Sequence, residues 1–297
     1  MIASRETEHT ILGPWSLETS KMFWEGFTPG ALIEQADAQE IRAVFLSDTD
    51  WTRVEMVVTQ HGDTARITVA GLGDLEAATD QVRRFLSLDI DGTAWPEVGS
   101  RDPVIADAQA QLPGLRPCGF YSPYEAAAWA VLSQRIQMSQ AARLKATIQD
   151  TYGDDGAFPA PAVLRNIQID LPGRKLEYLH AVADAAIDGR LSGASLRSLS
   201  SDDALRQVQE ITGLGPFAAE LVVIRGANFA DVLPRNEARL AAEIAERYDI
   251  PHAASGKSTA DTVMAEIAEN WSPFRSWASV HLRALRESRL TGHSLGG

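Results

Sequence analysis

One change of pattern along the chain constrains its fold more than any composition figure. Residues 42–48 (RAVFLSD), 52–59 (TRVEMVVT) and 64–71 (TARITVAG) alternate or run apolar and are rich in Val, Ile and Thr. They predict strands of an antiparallel sheet, with His61-Gly62-Asp63 as a hairpin turn. DLEAATDQVRRFLSL (74–88) then places Leu75, Ala78, Val82 and Leu86 on one helical face. Residues 89–123 are looser, with five Pro and one short helix over 103–112. From Tyr124 the strand signal is gone. Residues 125–153 read as two helices broken near Gln137–Ser139, and further helices follow over 173–189, 237–248, 259–269 and 271–288. Between them SDDALRQVQEITGLG opens on a Ser-Asp-Asp cap, and PFAAELVVIRGA follows with Pro216 at its first position. The expectation is an α+β chain: a small N-terminal antiparallel β-sheet domain with helices over 1–116, then an all-α domain of about eight helices over 117–297.

The 297 residues suffice for two domains with ordinary cores. A single cysteine, Cys118, excludes an internal disulfide framework and any zinc site built on several thiolates; the six His stand singly, so no metal is expected. The N-terminus, MIASRETEHT, is too polar for a signal peptide, and no apolar run approaches the ~20 residues needed to span a bilayer. A soluble cytoplasmic protein is expected. The net charge of −13 weighs against nucleic acid until it is divided. Residues 1–116 hold 19 acids and 9 bases, a net −10, and residues 117–297 hold 21 acids and 18 bases, only −3. The second part could carry a basic face.

The segment ITGLGPFAAELVVIRGANFADVLPRNEARL (211–240) carries the chemistry. Its Gly-Leu-Gly lacks the third glycine of a dinucleotide fingerprint and follows a helix, so a Rossmann reading fails. Alone it is most simply an ordinary interhelical turn. Two glycines can also expose successive backbone N–H groups at the start of the next helix, where an anion is favoured, and so grip a DNA phosphate without Lys or Arg. The surrounding order is helix, TGLGPFAA, an apolar helix ending in IRG, then DVLP and a new helix. It resembles the helix-hairpin-helix DNA glycosylase superfamily, and within it the 3-methyladenine DNA glycosylase II (AlkA) type. AVLSQRIQMSQAARLKATI (130–148), FPAPAVL (158–164) and WSPFRSWASVHL (271–282) extend the resemblance over roughly residues 120–285.

The resemblance implies a monofunctional base-excision enzyme that flips a damaged, alkylated nucleotide out of duplex DNA and cleaves its N-glycosidic bond. The family's catalytic aspartate falls on Glu237, counting from Gly213, so the charge is kept on a side chain one carbon longer. Asn236 cannot supply that charge, and Asp231 belongs to the turn. Gly215-Pro216-Phe217 stand where strand-cleaving relatives carry a Schiff-base lysine. DNA contacts are expected at Thr212, Gly213, Leu214, Gly215, Phe217 and Ala218, with Gln134 and Arg135 as the wedge filling the vacated stack. The base pocket is expected from Phe217, Leu221, Trp277 and Arg283, less aromatic than the family pattern. Phe217 could equally be core, and Arg275 and Trp277 suit anchoring of the last helix better than substrate contact. No cofactor is implied beyond a structural monovalent cation on the hairpin carbonyls, and the precedent is a monomer. Two other readings stay open: a catalytically impaired protein on the same scaffold that binds distorted DNA, and a helical interaction protein with no DNA role.

Overall fold

The structure, a computed structural model, describes residues 2–26, 39–250 and 257–291. Four strands, β1 (Ala3–Thr10), β2 (Glu40–Leu46), β3 (Arg53–His61) and β4 (Thr64–Gly71), form one antiparallel sheet in the order β1-β4-β3-β2. β3 and β4 turn at Gly62-Asp63, where Gly62 takes φ +57°. Period-2 alternation puts Ile41, Ala43 and Phe45, Val54, Met56 and Val58, and Ala65, Ile67 and Val69 on the buried face. The register pairs Met56 with Val69 and Val58 with Ile67, so these side chains meet across the strands. Helices α1 (Leu17–Gly26) and α2 (Leu75–Phe85) complete this layer; Asp74 caps α2 by accepting from the Glu76 and Ala77 amides. β1 was not expected, and the reason is visible: ASRETEHT is an exposed edge strand with no apolar face.

A second core is wholly helical. It contains α5 (Pro123–Leu132), α6 (Met138–Tyr152), α7 (Pro161–Leu164), α8 (Lys175–Ile187), α9 (Gly193–Arg197), α10 (Ser201–Gln209) and α11 (Pro216–Leu221), the last continuing as a π-helical turn over Val222–Gly226. Every residue of α5 is buried, which makes it the central helix. The break after it spans residues 133–137, slightly before the expected position. The cap of α10 is Ser200, one residue ahead of the expected Ser-Asp-Asp.

The third core gathers α3 (Trp95–Arg101), α4 (Pro103–Gln111), α12 (Ala238–Arg247), α13 (Lys257–Glu269) and α14 (Arg275–Thr291). Trp95, Val98 and Ile105 pack with Leu240, Ile244, Trp271 and Trp277, joining segments from both ends of the chain. Buried Asp102 locks them: it caps α4 and accepts from Trp271 Nε1 (2.9 Å) and Tyr248 Oη (2.7 Å). Arg116 is fully buried, donates to the carbonyls of Leu12, Pro14, Ser87 and Ile90, and lies over the Trp277 ring at 5.4 Å. Burial pulls its pKa down to about 10. α14 serves two cores, giving Val280, Ala284 and Leu285 to the sheet layer and Trp277, Ala278 and Leu282 to the third.

His281 on α14 is fully buried, with Nδ1 2.9 Å from the Trp277 carbonyl, and burial pushes its pKa down to about 4. Its folded pKa lies below the unfolded value, so its contribution is complete above about pH 6.5 and is lost as pH falls toward 4. Urea titrations across that window should show a decline of as much as about 3 kcal/mol that His281→Gln flattens.

Candidate active site and nucleic-acid interface

The hairpin between α10 and α11 is built on one obligatory glycine. Gly213 takes φ +93°, and a Cβ there would lie 2.3 Å from Cγ of Tyr178. Leu214 turns inward, and its amide donates to the Ile211 carbonyl at 3.0 Å. Gly215 caps α11 with Pro216 at the first helical position. Thr212, Gly215 and Phe217 are exposed on the outer side, while Ala218 is buried beneath them. Phe217 is 47% exposed, so it is not a core residue.

The loop between α5 and α6 comes to the same edge. Gln134 Nε2 donates to the Gly213 carbonyl at 2.8 Å. Buried Lys175 donates Nζ to the carbonyls of Val131 and Gln134, both at 2.8 Å, satisfying the C-terminal end of α5. Next in sequence, Arg135 is exposed and takes φ +55°. The structure therefore brings together the hairpin and the Gln134–Arg135 loop, which lie nearly 80 positions apart.

Behind the hairpin, the π-helical turn closes with Ala227 N donating to the Val222 carbonyl at 2.8 Å. Gly226 lets this turn lie on α5, because a Cβ there would meet Pro123 Cα at 2.7 Å. Arg225 is buried, donates to the Cys118 carbonyl and lies over the Phe23 ring at 5.2 Å. Burial lowers its pKa to about 10.

The chain then descends to α12 through a loop held on two sides. Asp231 accepts from Arg275 N (3.1 Å), Arg275 Nη1 (2.8 Å) and Ser272 Oγ (3.1 Å), fixing the start of α14. Ser276 Oγ exchanges hydrogen bonds with the Val232 amide and carbonyl. On the other side buried Glu220 of α11 accepts from the amides of Arg235 (2.9 Å) and Asn236 (3.0 Å) and from Asn236 Nδ2 (2.7 Å).

Glu237 follows as the N-cap of α12. Oε1 accepts from Arg239 N and Oε2 from Leu240 N, both at 3.1 Å. Oε2 also lies 2.5 Å from Arg283 Nε, and Arg283 Nη2 bonds Glu287 Oε1 at 2.8 Å. Arg239 reaches the same Glu287 oxygen at 3.2 Å, closing a network of alternating charge. The Glu237 and Arg283 side chains are 22% and 23% exposed, so the pair is partly open to solvent.

Arg283 is thus on the Glu237 carboxylate, and Leu221 is half-buried at the end of α11. Trp277 is a correction. At 1% exposure it packs between Trp95 (5.7 Å) and Phe274 (4.9 Å) in the third core, which leaves no ring face for a base and fits the anchoring of the last helix. Helical geometry explains this: six residues at about 100° each turn Trp277 and Arg283 toward different faces of α14. Glu220 and Arg225 were missed by sequence reading, although a lone carboxylate in the apolar run AAELVVI was a usable signal. Among the described residues no three His, Cys, Asp or Glu side chains gather as a metal site.

No family model matches the chain. It is similar to the DNA-3-methyladenine glycosylase of Bacillus subtilis, 27% identical over 223 residues, covering 70% of this chain and 71% of that protein. It is equally similar, at 27% over 186 residues, to DNA-3-methyladenine glycosylase 2 of Escherichia coli, covering 58% of this chain and 61% of the relative. The 3-methyladenine DNA glycosylase of Archaeoglobus fulgidus has the same fold, with a TM-score of 0.72 at 18% identity over 93% of this chain and 96% of the other. In sequence and in fold the chain thus resembles the DNA-3-methyladenine glycosylases, the type that its motifs resemble.

Proposed function

We propose that this protein removes an alkylated base from duplex DNA by hydrolysing the N-glycosidic bond of a flipped-out nucleotide, with Glu237 as the acting carboxylate. The observation that carries this reading is the placement of Glu237: a carboxylate at a helix N-terminus, held by two amides and one guanidinium and partly open to solvent. As the bond breaks, the base departs with the bonding electron pair and positive charge builds on the sugar. A fixed negative charge stabilises that state. Water then adds to the anomeric carbon, its proton passes to solvent, and an abasic site remains. With Gly215-Pro216-Phe217 in the hairpin no amine stands there to form a Schiff base, so the strand stays intact.

The remaining parts bind and orient. The exposed Thr212, Gly215 and Phe217 positions of the hairpin suit a backbone phosphate held by main-chain N–H groups, which lets an acidic chain hold DNA with few cations. The exposed Phe217 ring offers a face for a base, with Leu221 beside it on the same helix. A monovalent cation on the hairpin carbonyls would share them with the Gln134 amide, which already occupies Gly213 O. Arg135 is the wedge. Arg135→Ala should slow single-turnover excision about tenfold, equivalent to ~1.4 kcal/mol of lost stabilisation of the flipped state. Rates measured with mismatched and matched lesions check this, since a weakly paired lesion needs the wedge less.

The test is a panel of duplexes, each with one methylated, etheno-adducted, deaminated or normal base, followed by alkali to reveal abasic sites. Excision of an alkylated member is the expected outcome. Tight binding to an abasic-site analogue with no excision from any member would instead favour a binding protein on this scaffold.

A further inference from the structure

We infer that Glu220 is a positioning residue for the Glu237 carboxylate, coupling the DNA-gripping hairpin helix to the reacting group. This rests on the reading of Glu237 given above. Glu220 is 7% exposed, and both its oxygens are spent on the two residues that immediately precede Glu237. Oε1 takes the Arg235 amide and the Asn236 side-chain amide, and Oε2 takes the Asn236 main-chain amide. A buried carboxylate is costly unless its lone pairs are met, and here backbone donors of one short loop meet them. Among the described residues no Lys, Arg or His lies within ion-pair distance of it.

Its location gives the clamp a consequence for chemistry. Glu220 lies one helical turn after Phe217, on the helix whose N-terminal end faces outward at the hairpin. The other anchor of the loop, Ser276 on Val232, ends four residues short of Asn236. The stretch from Leu233 to Asn236 is therefore set by Glu220 on one side and by the start of α12 on the other. Glu237 is the cap of that helix, so a shift of the preceding peptide carries its carboxylate with it. Because misplacement by about 1 Å can cost ~100-fold, a residue that never touches substrate can control the rate.

The experiment compares wild type with Glu220→Gln, Glu220→Asp and Glu237→Gln. It uses full-length protein and the panel duplex cleaved fastest, with a duplex carrying a tetrahydrofuran abasic analogue for affinity. Glu220→Gln puts a donor against one of the loop amides. It should lower the single-turnover rate 10- to 100-fold while leaving affinity for the abasic duplex within about threefold. Amide exchange over residues 233–238 should quicken, and Glu220→Asp, which retains both acceptors, should recover part of the rate. A Glu220→Gln rate within twofold of wild type overturns the inference. So does a rate loss matched by an equal loss of abasic-duplex affinity, which marks a folding role. If wild type excises and Glu237→Gln does not, a silent Glu220→Gln sinks this inference alone. If wild type excises nothing, or Glu237→Gln is fully active, the reading of Glu237 fails first and this inference with it.

Discussion

Glu237→Gln should reduce base excision by about 100-fold or more while the protein still folds and still binds an abasic-site duplex. The amide keeps the size of the side chain and one oxygen that can accept from Arg239 N or Leu240 N, so the cap of α12 is weakened but not emptied. What disappears is the negative charge. Removing one well-placed electrostatic partner from a transition state typically costs 10²–10³ in rate. The folded state loses less, because the Glu237–Arg283 pair is about a fifth exposed and Arg283 keeps Glu287 as a partner. A rate loss with an unchanged melting temperature, within a few degrees, separates a chemical role from a structural one. Glu237→Asp sharpens the result. It restores the shorter carboxylate of the family pattern but draws it back from Arg283 Nε, so activity retained in Asp and lost in Gln assigns the effect to charge.

The second large effect belongs to the hairpin. Gly213→Ala should destabilise the protein by about 2–4 kcal/mol and weaken abasic-duplex binding tenfold or more. Two costs coincide: φ +93° is unfavourable for any L side chain, and the new methyl would sit 2.3 Å from Tyr178 Cγ. Tyr178 does not yield freely, since the Arg174 guanidinium lies over its ring at 5.1 Å. Relief must come from the hairpin, and moving it breaks the Gln134 bond to Gly213 O that ties the wedge loop in place. Gly215→Ala is the stability control: nothing lies within 4 Å of its Cβ direction and its φ is −85°, so its denaturant midpoint should be nearly that of wild type, whatever its effect on DNA contact. Denaturant midpoints and binding titrations on the two variants check the contrast.

Much of the site was legible in the sequence because its parts are local. The helical rhythm after Tyr124, the glycine pair and the interval from Gly213 to Glu237 depend on neighbours in sequence, and the structure reproduces them. Features depending on distant partners were not legible. Arg283 is assigned to the expected base pocket through the family resemblance alone, and its hold on Glu237 needs α14 to meet α12, 46 residues away. Glu220 stands out in sequence as a lone carboxylate in an apolar run, but its partners, the loop at 235–236, show only once that loop folds back on it. Trp277 carries two expectations, pocket and helix anchor, and only its rotation about α14 toward the third core decides for the anchor. β1 escaped because an edge strand of alternating charge carries no apolar signature.

The most direct test is a single-turnover time course on the preferred alkylated duplex, in which released free base and alkali-labile sites are quantified together for wild type and Glu237→Gln. Wild type should release base and form abasic sites in equal amounts, with no strand cleavage before alkali, and Glu237→Gln should do so about 100-fold more slowly or worse. Equal rates in the two proteins, or strand cleavage without alkali, would contradict the assignment of Glu237 as the carboxylate of a monofunctional glycosylase.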